Sequence, residues 1–405
     1  MKKVCILSII FFSLCLFLSA ETPYVIVVSF DGFRYDYVDK TATPNFDYLK
    51  ENGTKAASFQ PIFPSKTFPN HYAIATGSYA QTHGLMGNHF YSTKHDEVYT
   101  MKDKTKVRDP KWYGAEPIWV TAERQGVKSG SYFWVGSEAP IHGYLPSILK
   151  YYDESVPFEA RVDSVFAWLQ LPEEERPHLI MLYFHEPDAA GHKFGPDNPE
   201  LIPMIEYLDS ILGKIITGIE DLEISDQVYL IVLSDHGMTE VGENQTIYLN
   251  DYISDPDAFH PYFGGPVVQL TLNEDYEEQE TDIFLKLKTI PHIDLYTYDT
   301  IPERYHFKNM DTGDFVLVAH EGWILSTGEE PYSSKATHGY DPELRSMHGI
   351  FYALGPDIKT DHQIETFENI HVYPFICSLL EIEPYKNIFS GPDGKLEVLY
   401  EILER

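Results

Sequence analysis

Three stretches of this chain are near-continuous runs of aliphatic, β-branched and aromatic residues, and each stops at acid. Tyr24–Phe30 (YVIVVSF) precedes Asp31-Gly32, His178–Phe184 (HLIMLYF) precedes His185-Glu186-Pro187-Asp188, and Val228–Ser234 (VYLIVLS) precedes Asp235-His236-Gly237. A run that does not alternate with polar residues is apolar on both faces, the pattern of a parallel strand covered on each side. Apolar residues three or four apart predict helices between them, at Glu116–Arg124, Phe158–Leu169 and Leu201–Ile219. Strands alternating with helices predict an α/β fold with a largely parallel central sheet flanked by helices. Between Gly237 and His338 the character turns acidic and aromatic, with an alternating Val267–Leu272 and a helix-like Glu280–Lys288, which reads as an inserted cap subdomain. Gly349–Gly355 then returns to strand composition, and Ile370–Leu380 reads as a closing core helix. The predicted division is a leader at 1–20, a catalytic body at 21–250 and 336–405, and a cap at 251–335.

The 62 Asp and Glu against 30 Lys and Arg give a formal charge of −32. Disorder is excluded nonetheless, because 29 Tyr, 24 Phe and 5 Trp supply a large core. Duplex nucleic acid is an unexpected partner, since the only basic run is Lys102–Lys106 and phosphate-backbone binding needs clustered cations. Lys2 and Lys3, the apolar Val4–Leu18 and the small residues Ser19-Ala20 read as a secretory signal cleaved before Glu21. Its apolar stretch falls short of the ~20 residues a spanning helix needs, so the mature protein is expected to carry no membrane anchor and to be periplasmic or secreted. Cys5 and Cys15 lie in that leader, which leaves Cys377 without an internal disulfide partner. The sequons at Asn52 and Asn244 read as chance matches.

In open α/β sheets, loops at the carboxyl ends of the strands converge on one crevice. Asp31, Asp188 and Asp235 are therefore expected to meet, with His236 beside Asp235, His192 four residues after Asp188, and His338 in the loop His338-Gly339-Tyr340-Asp341. Three carboxylates and three imidazoles without thiolate suit zinc or a similar first-row ion, and six ligands make two sites of three. His348 competes with His338 at this level, while His71, His83, His89, His142 and His185 read as structural. A hydroxyl, Thr67, lies in FPSKTFPNHY (63–72) ahead of a helix-like Ala73–Gly77. It is either a helix cap or a nucleophile activated by an adjacent metal site, and the same helix start offers backbone N–H groups to a phosphate oxygen.

With these residues in place, the chain resembles the nucleotide pyrophosphatase/phosphodiesterases of the alkaline phosphatase superfamily. The segments that carry the resemblance, in order, are SFDGFR (29–34), FPSKTFPNHY (63–72), HGLMGNHFY (83–91), EPDAAGHKFGP (186–196), LSDHGM (233–238) and THGYDP (337–342). The resemblance implies an alkaline phosphatase-like core and two zinc ions, one on Asp31, Asp235, His236 and the Thr67 oxygen, the other on Asp188, His192 and His338. It selects His338 over His348, because the family's ligand stands in the His-Gly-aromatic-Asp loop. It makes Thr67 the nucleophile, Asn88 a hydrogen-bond donor to a non-bridging phosphate oxygen, and Phe68 and Tyr183 the rings that sandwich a base. Two zinc ions outweigh three ligand carboxylates, so an anionic phosphodiester can bind despite the acidic chain. The implied reaction is hydrolysis of a phosphodiester or pyrophosphate bond in a nucleotide-type substrate, releasing a nucleoside 5′-monophosphate through a phosphothreonyl intermediate. Choline or lysophospholipid diesters, phosphomonoesters or phosphonates on the same scaffold, and an inactive ligand-binding relative are the alternatives. A sulfatase is disfavoured, because no Cys/Ser-x-Pro-x-Arg segment is present. The lack of Cys-rich and nuclease-like segments reads as a compact, bacterial-type member.

Overall fold

The computed structural model describes residues 22–328, 332–386 and 391–404, so the leader expected at 1–20 lies outside the described residues. Eight strands make the main sheet: β1 (Tyr24–Phe30), β2 (Thr54–Ala56), β3 (Ser129–Tyr132), β4 (Ile148–Lys150), β5 (Leu179–Phe184), β6 (Val228–Leu233), β7 (Phe351–Leu354) and β8 (His362–Ile364). Their spatial order is β8-β2-β7-β6-β1-β5-β3-β4. The three apolar runs are neighbours at its centre, with Val28 of β1 paired in parallel to Leu182 of β5 and to Val232 of β6. Every residue of these three strands is buried, as a run apolar on both faces requires. Among the described strands of the sheet, β7 alone runs against its neighbours, pairing antiparallel with β6 and β2.

Two helix groups cover the sheet. The helices α1 (Thr67–Thr76) and α5 (Val372–Leu379) pack on each other, and α2 (Phe158–Leu169) packs on α4 (Ile202–Glu220), with the short α3 (Asp188–Phe194) between those two in the chain. The apolar stripe of α4 is Ile205, Leu208, Leu212, Ile215 and Ile219, all buried at three- and four-residue intervals. One boundary differs from expectation in a way that matters. The helix placed at Ala73–Gly77 begins at Thr67, because Pro69 falls in its first turn, where a missing N–H costs no intrahelical bond. Gly77, at φ 63°, ends it in the left-handed conformation.

The insertion builds its own three-stranded antiparallel sheet from Val267–Leu270, Phe315–Ala319 and Ile293–Thr297, beside a helix at Glu280–Leu287. Val268, Leu270, Leu287, Phe315 and Leu317 form a hydrophobic cluster separate from the main core. The chain returns through Ala336–Thr337, which pairs with Thr239–Glu240, and this pairing carries His338 back beside His236.

Candidate active site

Because β6, β1 and β5 are adjacent and parallel, their carboxyl ends share one edge, and the acids that follow them meet there. Gly32, at φ 69°, turns the chain after Asp31, and a Cβ at that position would lie 2.9 Å from the Asp188 side chain. Asp188 opens α3 and His192 stands one turn later on the same helix, its Nε2 3.5 Å from Asp188 Oδ1. His338 Nε2 approaches the same oxygen at 3.6 Å. On the other side, His236 Nε2 lies 3.4 Å from Asp31 Oδ1, 3.1 Å from Asp235 Oδ2 and 3.3 Å from Thr67 Oγ1. All six expected ligands and Thr67 are thus brought together. The ligand atoms of Asp188, His192 and His338 lie within 4.8 Å of one another, as do those of Asp31, Asp188 and His236, so the two groups abut.

Hydrogen bonding around this cluster fits a cation-binding set. Each imidazole points its Nδ1 at a backbone carbonyl: His192 at Ala336 (2.7 Å), His236 at Gly237 (2.9 Å) and His338 at Ser65 (2.8 Å). A carbonyl only accepts, so Nδ1 carries the proton and Nε2 presents its lone pair to the site. The carboxylates are divided in the same sense. Asp31 Oδ2 accepts from the Tyr183 hydroxyl (2.6 Å) and Asp235 Oδ1 from the Gly32 N–H (3.1 Å), while Asp31 Oδ1, Asp235 Oδ2 and Asp188 Oδ1 are buried without a hydrogen-bond partner. Buried acceptors left unpaired are costly unless something cationic meets them. Burial, reinforced by the mutual repulsion of the acids, pushes the Asp31 and Asp235 carboxyls well above the usual range, and burial pulls His236 and His338 well below theirs.

Thr67 is the first helical residue of α1, and the cap position belongs to Lys66, whose side chain makes no cap bond. A capping role for the Thr67 hydroxyl is therefore set aside. Asn88 Oδ1 accepts the Phe68 N–H at 2.9 Å, which orients the Asn88 amide beside Thr67. The Lys66 ammonium donates to the His338 carbonyl at 2.6 Å. Phe68 and Tyr183 both line a cavity of about 1030 Å³ that also reaches Asp31, Thr67 and Asp188. The Tyr183 ring stands at the wall of that cavity, while its hydroxyl is committed to Asp31, a link that spans 152 residues and leaves no sequence signal.

Three further side chains belong to the site although the sequence reading gave them no part. His71, fully buried, lies with Nδ1 3.0 Å from the Thr67 carbonyl oxygen and 3.2 Å from Asp235 Oδ2, and with Nε2 2.9 Å from Ser29 Oγ. Its position four residues after Thr67 on one helix was the available signal. Tyr152 lines the large cavity, its ring 5.3 Å from Phe133 and 6.2 Å from Tyr183. Arg161 lies wholly inside and ties the two sides of that wall together, donating to the carbonyls of Val156 and Tyr183.

His348 is held elsewhere. Its Nδ1 faces the Ser58 hydroxyl at 2.7 Å and its Nε2 the Pro342 carbonyl at 3.0 Å, so neither nitrogen is open to the acids. Burial lowers its pKa from 6.5 to about 4. A histidine whose folded pKa is depressed contributes stability above its unfolded value and loses it as pH falls through the folded one. The melting temperature should accordingly drop as pH falls from 6.5 towards 4, and more shallowly in His348→Gln than in the natural chain, with metal content unchanged. Parallel pH profiles by differential scanning calorimetry would contradict this.

Comparison with known proteins gives a consistent picture. Residues 25–341 match a family model described as type I phosphodiesterase / nucleotide pyrophosphatase. A venom phosphodiesterase of Naja atra is 38% identical over 384 residues, covering 93% of this chain and 46% of that protein. Human ectonucleotide pyrophosphatase/phosphodiesterase family member 1 is 37% identical over 392 residues, covering 94% and 42%. The chain thus spans less than half the length of these curated relatives. The solved structure of human ectonucleotide pyrophosphatase/phosphodiesterase 5 superposes with a TM-score of 0.88 at 32% identity, covering 95% of this chain and all of that one. The murine counterpart, an inactive threonine-to-alanine form in complex with AMP, gives the same TM-score. The α/β fold with its mostly parallel sheet is the fold of these neighbours.

Proposed function

We propose that this chain, which belongs to the type I phosphodiesterase/nucleotide pyrophosphatase family, hydrolyses phosphodiester or pyrophosphate bonds of nucleotide-type substrates and releases a nucleoside 5′-monophosphate. The observation that carries the reading is the set of three unpaired carboxylate oxygens and three inward Nε2 atoms around one threonine hydroxyl, beside a cavity walled by Phe68, Tyr152 and Tyr183. Two zinc ions are part of the proposal, one held by Asp31, Asp235, His236 and Thr67 and the other by Asp188, His192 and His338. When bound they would supply Lewis-acid charge that favours the ionised Thr67 oxygen and water's hydroxide, and that neutralises the departing oxygen.

The chain's own groups do the rest. Thr67 Oγ1 loses its proton to solvent and forms a bond to phosphorus as the bond to the leaving oxygen breaks. Water then attacks the same phosphorus, the bond to Oγ1 breaks, a proton from that water restores the Thr67 hydroxyl, and the nucleoside 5′-monophosphate leaves. The Asn88 amide donates to a non-bridging oxygen, where charge develops most. Its orientation by the Phe68 N–H and the placement of Phe68 in the cavity wall join phosphate and base recognition at adjacent residues. A base stacked on such rings gains about 1–3 kcal/mol. The AMP and the inactivating loss of a threonine in the murine relative support both halves of this reading.

The substrate is a small molecule and not a nucleic-acid duplex. We also propose export to the periplasm or medium, and the division into a body at 21–250 and 336–405 with a cap at 251–335. Among the described residues no helix is long and apolar enough to cross a membrane. The test is turnover of zinc-loaded protein on the para-nitrophenyl ester of thymidine 5′-monophosphate against para-nitrophenyl phosphate. Strong preference for the diester is expected, and preference for the monoester would move the chain to the phosphatase side of the superfamily.

A further inference from the structure

The segments that follow β1, β5 and β6 carry most of the ligand set, and a side chain outside that set bonds to all three. Arg34 lies three residues after Asp31, with 7% of its surface exposed. Its Nε and Nη2 donate to the two oxygens of Asp36 at 2.6 and 2.9 Å, within its own loop. Nη2 also donates to Asp197 Oδ1 at 2.6 Å, five residues after His192. Nη1 donates to the Met238 carbonyl at 3.2 Å, two residues after His236. A planar guanidinium reaches these partners from three nitrogens held in one rigid fork, which the single ammonium of a lysine cannot do.

The same segments pack on one another around Arg34. A Cβ on Gly237, which adjoins His236, would lie 3.1 Å from Arg34 Cγ, so the loop after β6 rests partly on the stem of Arg34. A Cβ on Gly191, which adjoins His192, would lie 3.1 Å from Met238 Cε. The helix α3 therefore rests on the buried residue whose carbonyl Arg34 holds. Stability is a poor explanation for the outer arm of this clamp. The Asp197 side chain is 56% exposed, its Oδ1 also accepts from Lys40 at 2.5 Å, and ion pairs so open to water contribute little to folding. What the Asp197 bond does fix is the exit of α3, the helix that supplies Asp188 and His192, against the loops after β1 and β6.

We infer that Arg34 is a positioning residue for the metal centre: through Met238 and Asp197 it sets the spacing between the group Asp31, Asp235 and His236 and the group Asp188, His192 and His338. The inference rests on the two-zinc reading above and adds to it a residue that is not a ligand and does not line the large cavity. The chemistry makes that spacing matter, because the attacking and leaving oxygens of an in-line displacement lie on opposite sides of phosphorus and a two-ion site clamps both. The two arms have separate duties. The Met238 arm acts on the loop that carries Asp235 and His236, and the Asp197 arm acts on α3.

The experiment titrates zinc into the metal-free natural protein, Asp197→Ala, Arg34→Gln and Arg34→Lys against a chromophoric chelator, and records the melting temperature of each metal-free protein. Asp197→Ala should weaken one of the two zinc ions about 10-fold, the lower end of the range for losing an outer-shell partner, and leave the other within about twofold. Its metal-free form should melt within about 3 °C of the natural one. In the His338→Ala background, which is expected to keep the ion on Asp31, Asp235 and His236, Asp197→Ala should change nothing, whereas Arg34→Gln should still weaken binding because it also frees Met238. Arg34→Lys, which keeps the charge without the fork, should fall between Arg34→Gln and the natural protein. At saturating zinc, Arg34→Gln should lower kcat on the thymidine 5′-monophosphate ester by at least about 10-fold with KM little changed, as a displaced reacting geometry does. Because Asp197 is exposed, Asp197→Ala carries the test independently of how Arg34→Gln folds. Natural zinc affinities in Asp197→Ala, equal losses at both sites in that variant, or a metal-free form that melts lower while zinc affinity is kept would each overturn the positioning role and leave the hydrolase reading intact. A natural protein that binds no zinc overturns the two-zinc reading and this inference with it.

Discussion

Thr67→Ala should lower kcat on a nucleotide diester by at least about 10³-fold, as loss of a covalent nucleophile does, while fold and metal content stay as they are. A thousandfold loss corresponds to about 4 kcal/mol of transition-state stabilisation. The structure gives little reason for collateral damage. Among the described residues, Thr67 Oγ1 makes a single, long hydrogen-bond contact, 3.3 Å to His236 Nε2, and alanine is a better helix former at the start of α1. The expected stability change is within about 1 kcal/mol. Asp31, Asp235 and His236, the other proposed ligands on that side, are untouched by the substitution. Three measurements belong together: turnover, zinc content by elemental analysis, and capture of a radiolabelled phosphoryl group on acid-quenched enzyme. The natural protein should retain label and the variant none. Undiminished turnover in the variant would remove Thr67 from the mechanism, and a joint loss of turnover and zinc would make it chiefly a metal ligand.

The convergence of the three acids could be read from sequence because a parallel strand buried on both faces has an unmistakable composition, and because its carboxyl end is where a crevice must form. That argument alone brings Asp31, Asp188 and Asp235 together, and the order β6-β1-β5 is the reason it works. The start of α1 was missed on opposite grounds. Pro64 and Pro69 flank Thr67 in a stretch that reads as loop, yet Pro69 sits in the one helical turn that tolerates it. Tyr183 shows a different limit. Its place in an unbroken apolar run and its size say core aromatic, the family resemblance says base-stacking ring, and the structure adds a hydroxyl hydrogen bond to Asp31 that neither route contains. A smaller cavity of about 210 Å³ was beyond reach altogether, since Asn88 and His89 line it together with Tyr262 and Phe263 across more than 170 residues, with no pairing pattern to announce it.

The second large effect separates His338 from His348. Removing a ligand imidazole should weaken metal binding by more than the 10- to 100-fold typical of losing a mere outer-shell partner. His338→Ala should therefore emerge from dialysis against a weak chelator with about half the zinc of the natural protein, the ion on Asp31, Asp235 and His236 being kept. The melting temperature should report the same loss. An ion that binds only the folded state at about 1,000 times its Kd adds about 4 kcal/mol, and Asp188 Oδ1, buried and unpaired, is the acceptor that would lose its cation. The variant should thus melt between the natural holoprotein and the fully chelated one. His348→Ala should keep both ions, because His348 spends Nδ1 on Ser58 and Nε2 on Pro342, and its removal empties a structural pocket instead. A His338→Ala protein with full zinc beside a His348→Ala protein with half would transfer the ligand from one loop to the other. It would also require the Ser58 and Pro342 contacts to break before the ion could bind.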